Sequence, residues 1–173
     1  MRIIDKAIKV KLLILDVDGV LTDGKIVLDE NGKQLKFFDV QDGLGVVLLK
    51  RAGINTIILS ARYSRVVSFR AKDIKVFKAY QNCEDKLATY QKILRQLRLK
   101  DENVCFVGDE LIDIPVLKRA GLSVAVANAA QEAKRVSHYI TKRKGGEGAV
   151  RETIELILKS QGKWNKVISK YLK

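Results

Sequence analysis

The order of apolar and polar positions along the chain predicts strands and helices that alternate. Short, mostly apolar runs, typical of strands covered on both faces of a parallel sheet, recur along the sequence. The predicted strands are 10–15, 55–60, 75–80, 103–109 and 122–128. Helical spacing is clearest at 83–99, where Leu87, Tyr90, Ile93, Leu94 and Leu97 share one face. Further helices are predicted at 42–53, 64–73, 110–121, 148–161 and 163–173. This alternation predicts an α/β fold with a doubly wound, mainly parallel sheet.

One segment breaks the alternation. Residues 25–38 contain two extended runs around Asn31-Gly32, a pair typical of hairpin turns, so we expect a protruding β-hairpin. No repeat, low-complexity tract or stretch rich in Pro, Gly or Ser interrupts the sequence. We therefore expect residues 1–173 to form one domain.

Chemically capable side chains follow the predicted strands. Asp16 and Asp18 come after the first strand, Ser60 ends the second, and Asp109 ends the fourth. Lys86 lies early in the helix after the third strand. Because ligands of open α/β sheets bind at the carboxyl ends of the strands, we expect these five residues to meet there.

Each of these residues, taken alone, has a simpler interpretation. Ser60 and Asp109 could cap the helices that follow them, and Lys86 could lie on a solvated helix face. A calcium loop beginning at Asp16 is excluded, because Val20 and Val27 stand where that loop needs oxygen ligands.

Taken together, the residues suit phosphoryl transfer. Asp16 and Asp109 offer the oxygen ligands that Mg²⁺ prefers, and a carboxylate beside a metal can attack phosphorus. Asp18 could exchange protons with the leaving group and with water. Ser60 and Lys86 supply a hydroxyl and a cation for the phosphoryl oxygens.

The sequence resembles the haloacid dehalogenase-like phosphatases, whose four motifs are matched in order. They are "LLILDVDGV", the Ser of "IILSAR", the Lys of "CEDKL", and "VGDELID". "FDVQDGLGV" and "GGEGAVRE" further resemble the capless branch of 3-deoxy-D-manno-octulosonate 8-phosphate phosphatases, which serve lipopolysaccharide biosynthesis. The resemblance implies a Rossmann-like fold and a Mg²⁺-dependent phosphatase that works through an aspartyl-phosphate.

The resemblance also implies roles for individual residues. Asp16 would be the nucleophile and a metal ligand, and Asp18 the acid/base and a ligand through its main-chain carbonyl. Asp109 would be the third ligand, and Asp113 would support the metal shell. The implied substrate-binding residues are Asp39, Val40, Gln41, Asp42, Gly43, Arg62, Arg70 and Lys86. The sequence departs from the pattern at Glu110, where an Asp is common, and at Ala61, where a Gly is common.

The intervals between the motifs leave no room for a cap domain, so we expect an open site. The resemblance implies a homotetramer built through the hairpin, with a neighbour's tail, about 142–173, reaching the site. It implies that Lys142, Arg143 and Lys144 could meet an anion there.

The charge is strongly positive, with 33 Lys and Arg against 20 Asp and Glu, or +13. Such an excess suits nucleic acid, an anionic surface or an anionic substrate. Because the basic residues are spread widely and aromatic residues are few, we do not expect nucleic-acid binding, and a lysine-rich solvated surface is the simplest interpretation. No apolar run approaches the length of a membrane span, and the N-terminus lacks a signal-peptide core, so we expect a cytoplasmic protein without a membrane partner.

Three alternatives stay open at this point. The first is the same chemistry on an acylneuraminate 9-phosphate. The second is a signalling receiver domain, which is disfavoured because the second strand ends in Ser60 instead of Asp. The third is a non-catalytic binding protein of the same fold, which four intact motifs disfavour.

Overall fold

The computed structural model describes residues 2–172 and contains one parallel sheet and a separate hairpin. The strands of the parallel sheet are β1 (Leu12–Leu15), β4 (Asn55–Leu59), β5 (Lys78–Tyr80), β6 (Val104–Gly108), β7 (Leu122–Ala125) and β8 (Tyr139–Ile140). Those of the hairpin are β2 (Val27–Leu28) and β3 (Gln34–Leu35). The sheet order is β5-β4-β1-β6-β7-β8, and every neighbouring pair is parallel. The predicted α/β class and doubly wound sheet are confirmed.

Helices cover both faces of the sheet. They are α1 (Ile3–Ile8), α2 (Val40–Arg51), α3 (Arg65–Asp73), α4 (Lys86–Leu97), α5 (Ile114–Leu117), α6 (Gln131–Val136), α7 (Ala149–Ser160) and α8 (Trp164–Ile168). Short 3₁₀ helices lie at Asp101–Asn103, Leu111–Asp113 and Ser169–Tyr171. α7 packs against α1, α2 and α8, whereas α5 packs against α4 and α6 on the other face.

The core lies on both sides of β1 and β6, the two central strands. All residues of both strands are buried, and Phe106 and Tyr90 are among the largest fully buried side chains. Apolar side chains can fill both strand faces because right-handed crossovers place a helix layer on each side of a parallel sheet. The same two central strands carry Asp16 and Asp109 at their carboxyl ends.

The hairpin forms a two-stranded sheet of its own. The N–H of Asp29 donates to the carbonyl of Lys33 at 3.0 Å, so the loop between them has three residues. Gly32 has φ +74°, whereas Asn31 does not adopt the left-handed conformation. The hairpin is therefore confirmed, but Gly32 alone supplies the left-handed residue.

Several element boundaries differ from those predicted. α2 begins at Val40, before the predicted start, because Asp39 caps it. The predicted helix 110–121 is a 3₁₀ turn followed by the four-residue α5. α1 was not predicted, because six residues are too few to show a helical period. Nothing larger than the hairpin and a helix lies between β1 and β4, and a single helix lies between β4 and β5, as expected for a chain without a cap.

Within residues 2–172, every helix is too short or too polar to cross a lipid bilayer.

Candidate active site

Asp16 stands directly after β1 and is buried, with 5% of its surface exposed. Its N–H donates to the carbonyl of Val107 in β6 at 3.1 Å, so the neighbouring central strand fixes its backbone. The chain then turns, and the backbone N–H groups of Leu21 and Thr22 both donate to the carbonyl of Val17. This turn returns residues 18–24 toward the end of the sheet.

Lys86, the first residue of α4, forms an ion pair with Asp16. Its Nζ lies 2.8 Å from Asp16 Oδ1 and 2.6 Å from Asp113 Oδ1, and the lysine is buried. Burial lowers the pKa of Lys86, but the two carboxylates outweigh burial and raise that pKa above its usual value. The ammonium therefore stays charged and fixes one oxygen of Asp16.

Asp113 uses both of its oxygens within the protein. One accepts from Lys86, and Oδ2 accepts from the backbone N–H groups of Asp109, at 3.0 Å, and Glu110, at 3.3 Å. A Cβ on Gly108 would lie 2.7 Å from the Asp113 side chain, so this approach requires glycine. Asp113 thus ties Lys86 to the loop that carries Asp109.

Asp109 completes a cluster of carboxylates. One oxygen each of Asp16, Asp109 and Asp113 lies within 4.8 Å of the others. Asp109 Oδ1 is buried and has no hydrogen-bond partner among residues 2–172. A Cβ on Gly19 would lie 1.9 Å from Asp109 Oδ2, so only glycine at position 19 allows this packing.

Crowding raises the pKa values of two of these carboxyl groups, even with the Lys86 ammonium beside them. Desolvation, followed by repulsion from Asp113, raises the pKa of Asp16 to about 6. Desolvation, followed by repulsion from Asp16 and Asp113, raises the pKa of Asp109 to about 8. An unpartnered buried oxygen among crowded carboxylates fits a hard divalent ion such as Mg²⁺.

A pocket of about 220 Å³ opens above the carboxylates. It is lined by Asp16, Asp18, Gly24, Ser60, Ala61, Arg62, Asp109, Glu110 and Ile112. Ser60 is buried, and its Oγ accepts the backbone N–H of Arg62 at 3.3 Å. The structure thus brings Asp18, Ser60 and Arg62 to one pocket beside Asp16.

Glu110 and Lys36 both lie at the edge of the pocket and are held by contacts within the chain. Glu110 stands where the resembled phosphatases commonly have Asp. Its Oε1 accepts from the N–H of Leu111 at 2.7 Å, so Glu110 caps the following 3₁₀ turn. Lys36, on the hairpin, forms an ion pair with Asp18 Oδ1, and its side chain is 3% exposed. The sequence pattern did not single out Lys36, because a lysine in a polar hairpin carries no signal of its own.

Residues 39–43, which the resemblance assigns to substrate binding, do not line this pocket in the single chain. Asp39 caps α2 by accepting the N–H of Asp42 at 2.9 Å. Asp42 is buried, and its Oδ1 accepts the N–H of Arg151 at the start of α7 at 2.7 Å. Desolvation, with a contribution from Asp39, raises the pKa of Asp42 to about 6.

The other implied substrate-binding residues of this region, apart from the exposed Val40, also make packing or hydrogen-bond contacts within the chain. Arg70 donates to the carbonyl of Asp39 at 3.0 Å and pairs with Asp73, and Gly43 lies against its guanidinium. Gln41 accepts from Arg143, and Val40 is exposed. Of the predicted arginines, only Arg62 faces the pocket, because Arg70 binds the start of α2.

The glycine-rich loop at 145–148 packs on the chain's own Asp16 turn. Gly146 N–H donates to the carbonyl of Val20 at 3.0 Å, and Gly145 N–H donates to Asn128 Oδ1 at 2.9 Å. A Cβ on Gly145 would lie 1.6 Å from the carbonyl oxygen of Gly19. The loop therefore supports the turn between Asp16 and the hairpin.

Of the three basic residues before this loop, Arg143 is the one whose side chain is bound within residues 2–172. The backbone N–H groups of Lys142 and Arg143 donate to Glu152, and the guanidinium of Arg143 binds Gln41. Lys142, Arg143 and Lys144 are all exposed.

Comparisons with known proteins agree with this site. Residues 54–154 match the family model of the haloacid dehalogenase-like hydrolases. The 3-deoxy-D-manno-octulosonate 8-phosphate phosphatase of Escherichia coli K12 is 43% identical over 161 residues, covering 93% of this chain and 86% of the relative.

Solved structures of such phosphatases also superpose closely. One from Moraxella catarrhalis, in complex with magnesium, phosphate and a KDO molecule, has a TM-score of 0.96 and 38% identity, covering 98% of this chain and 97% of that one. A cobalt-bound one from Haemophilus influenzae has a TM-score of 0.90 and 34% identity, covering 97% and 99%.

Proposed function

This chain belongs to the 3-deoxy-D-manno-octulosonate 8-phosphate phosphatase family of haloacid dehalogenase-like hydrolases, and from that premise we propose that it releases phosphate from this eight-carbon sugar acid phosphate. The observation that carries the proposal is the buried Asp16, held by Lys86 beside the unpartnered Asp109 at the floor of an open pocket. Phosphoester hydrolysis needs a nucleophile, a cation site and an acid, and this pocket contains a candidate for each.

Asp16 is the proposed nucleophile. Lys86 engages its Oδ1, so the carboxylate is held in one orientation with the other oxygen available for attack. In the first step a bond forms between that oxygen and phosphorus, and the bond from phosphorus to the sugar oxygen breaks. The product of this step is an aspartyl-phosphate on Asp16.

Asp18 is the proposed proton carrier. It lines the pocket two residues from Asp16, and its carboxyl group would give a proton to the departing sugar oxygen. The resulting carboxylate then takes a proton from the water that attacks phosphorus, which restores Asp16 and releases phosphate. The hydroxyl of Ser60 donates to a phosphoryl oxygen, and Arg62 lies on the pocket wall where it can pair with the substrate carboxylate.

Asp16 and Asp109 would hold the Mg²⁺ ion, together with the main-chain carbonyl of Asp18, while Asp113 orients the Asp109 loop. The ion, when bound, neutralises charge on the transferring phosphoryl group. Lys86 and the ion together offset the crowding of the three carboxylates.

The test is phosphate release with Mg²⁺ and with chelator. The substrates are 3-deoxy-D-manno-octulosonate 8-phosphate, an acylneuraminate 9-phosphate and simple sugar phosphates, and Asp16→Asn is the control. We expect Mg²⁺-dependent release from the first compound, strongly preferred over the others, and none with the variant. Preference for the acylneuraminate compound would overturn the substrate but keep the chemistry. Release that survives in Asp16→Asn would overturn the nucleophile.

The assembly is proposed to be a homotetramer of single-domain subunits joined through the hairpin. Ile26, Leu28, Leu35 and Phe37 are each more than half exposed, and an isolated hairpin is marginal in water, so both features favour burial between copies. Light scattering of the wild type and of Leu28→Asp tests this, with a tetramer expected for the first and smaller species for the second. A wild-type monomer would contradict it.

The proposed reaction would serve lipopolysaccharide biosynthesis in the cytoplasm. A phosphorylated sugar acid is a charged molecule that does not cross a bilayer unaided, so its hydrolase must share its compartment. Loss of the gene should make the sugar acid phosphate accumulate in extracts of the source cell, and unchanged levels would contradict this role.

A further inference from the structure

The positive charge of the chain is concentrated at one end of the molecule. Helices of a parallel α/β sheet run opposite to the strands, so they end at the edge away from the active site. We call this edge the basic end, because more than half of the 33 Lys and Arg residues lie there. They are Lys6, Lys9, Lys11, Lys50, Arg51, Lys72, Lys75, Arg95, Arg98, Lys100, Lys118, Arg119, Lys134, Arg135, Lys159, Lys163, Lys166 and Lys170. The carboxylates there are Asp5, Asp73, Asp101 and Glu102.

Helix dipoles explain only part of this distribution. A cation in the last turn of a helix is stabilising, but the basic end carries two or three cations at several helix ends and more in the loops between them. Few are paired: among residues 2–172, the ion pairs of these cations are Lys9 with Glu102, Arg119 with Asp101 and Lys159 with Glu155. Crowded, unpaired like charges repel one another in the free protein, which favours an anionic partner.

Four of these cations line one cleft. A cleft of about 310 Å³ lies between the end of α2 and α8, and the cations at its wall are Arg51, Lys163, Lys166 and Lys170. Its other lining residues are Ala52, Val167 and Ser169, so no carboxylate belongs to the wall. Such a cleft can receive a phosphate group.

Apolar side chains accompany these cations. Ile4 and Ile8 are about half exposed and are spaced four residues apart on α1, which packs against α7. Tyr171 and Leu172 are also exposed, and the Tyr171 hydroxyl accepts a hydrogen bond from Arg51 at the cleft. Exposed aliphatic and aromatic residues among lysines are typical of surfaces that lie on a lipid bilayer.

We propose that the basic end docks on an anionic phospholipid surface, with a lipid phosphate in the cleft of Arg51, Lys163, Lys166 and Lys170. The contact is peripheral. A nucleic acid would also complement the positive charge, but its phosphodiester backbone offers no apolar surface to aliphatic side chains such as Ile4 and Leu172. In a bilayer, the same side chains can enter the boundary between headgroups and acyl chains. Docking at this end leaves the Asp16 pocket facing away from the lipid and open to a water-borne substrate.

Cosedimentation with vesicles tests the proposal. The vesicles contain phosphatidylcholine alone or phosphatidylcholine and phosphatidylglycerol in equal parts, and the protein is the full chain. We expect binding only to the anionic vesicles, weakened by salt. The triple variant Lys163→Gln, Lys166→Gln, Lys170→Gln should lose about a hundredfold in partition, since each basic residue near the surface contributes several-fold.

The matched control removes three charges elsewhere, with Lys33→Gln, Arg65→Gln and Lys92→Gln. It should retain most of the binding, and an equal loss in both variants would overturn the proposal by showing a response to net charge alone. A cooperative urea-unfolding transition of the cleft variant shows that it is folded.

Two further outcomes are decisive. Ile4→Ser with Ile8→Ser should lose the binding that survives in salt, because that part comes from apolar contact. The second outcome concerns duplex DNA. If DNA displaces the protein from vesicles and still binds it at salt concentrations where vesicles release it, the lipid proposal is overturned in favour of a nucleic acid.

Discussion

Replacing Asp109 with Asn should stabilise the metal-free protein and at the same time abolish phosphate release. In the folded chain the pKa of Asp109 is raised from 3.8 to about 8, because the carboxyl is desolvated and faces Asp16 and Asp113. The folded state therefore binds a proton that the unfolded state has already lost between about pH 4 and pH 8. Wild-type stability consequently falls as the pH rises through this range.

The size of the effect follows from the shift. Each pH unit between the two pKa values corresponds to about 1.4 kcal/mol, so the full effect at pH 7 would be about 4 kcal/mol. Asp109 is only half-buried, and solvent screens part of this, so we expect Asp109→Asn to gain about 2 kcal/mol at pH 7. Below about pH 3, where the wild-type carboxyl is protonated in both states, the difference should vanish.

Urea unfolding across this pH range, with chelator and with Mg²⁺, is the assay. Mg²⁺ should stabilise the wild type, because it binds the folded carboxylates, and should have little effect on the variant. An Asp109→Asn protein that is less stable than wild type at pH 7 in chelator would refute the reasoning. It would mean that the carboxylate is already compensated by groups other than a bound ion.

Three further substitutions test other contacts of the site, and Gly53→Ala serves as the control for one of them. Lys86→Met removes the cation shared by two buried carboxylates, so we expect the free energy of unfolding in urea to fall by about 3–5 kcal/mol. Mg²⁺ should restore part of this loss, and a loss unchanged by the ion would contradict the reasoning. Gly145→Ala should displace Gly19 and lower kcat by about a hundredfold, since small displacements of reacting groups are costly. Gly53→Ala, at φ +83° in open space, should cost about 1 kcal/mol of stability and leave kcat unchanged, and equal kcat for both glycine variants would refute the role of the loop. Arg62→Ala should raise KM for the sugar acid phosphate by about tenfold to a hundredfold and leave KM for p-nitrophenyl phosphate nearly unchanged. An equal rise in KM for both substrates would contradict this role of Arg62.

The sequence was informative wherever one residue's surroundings follow from the strand that carries it. β1 and β6 are runs of apolar residues, so their burial and the position of Asp16 and Asp109 at one edge could be predicted from parallel-sheet geometry. Lys86 was predicted near the carboxylates by order along the chain, and the structure adds that it bridges Asp16 and Asp113.

The sequence was less informative where a role depends on contacts between distant segments. Arg70 and Asp42 have the chemistry of ligand-binding residues, but they satisfy the starts of α2 and α7, which no local pattern reveals. Gly145 lies against Gly19, more than a hundred residues away, so its close approach is visible only in the folded chain. Lys36 reaches Asp18 because of where the hairpin sits.

The strand order also determines when the site can form during synthesis. β1 emerges first, yet its two sheet neighbours are β4 and β6, and its turn is supported by Gly145 and Gly146. The active site around Asp16 can therefore form only after most of the chain has left the ribosome, because Lys86, Asp109, Asp113 and the loop at Gly145 and Gly146 are all synthesised later. A nascent chain that ends before residue 146 exposes the apolar β1 without completing the site, so it should carry no phosphatase activity and should depend on chaperones in the meantime.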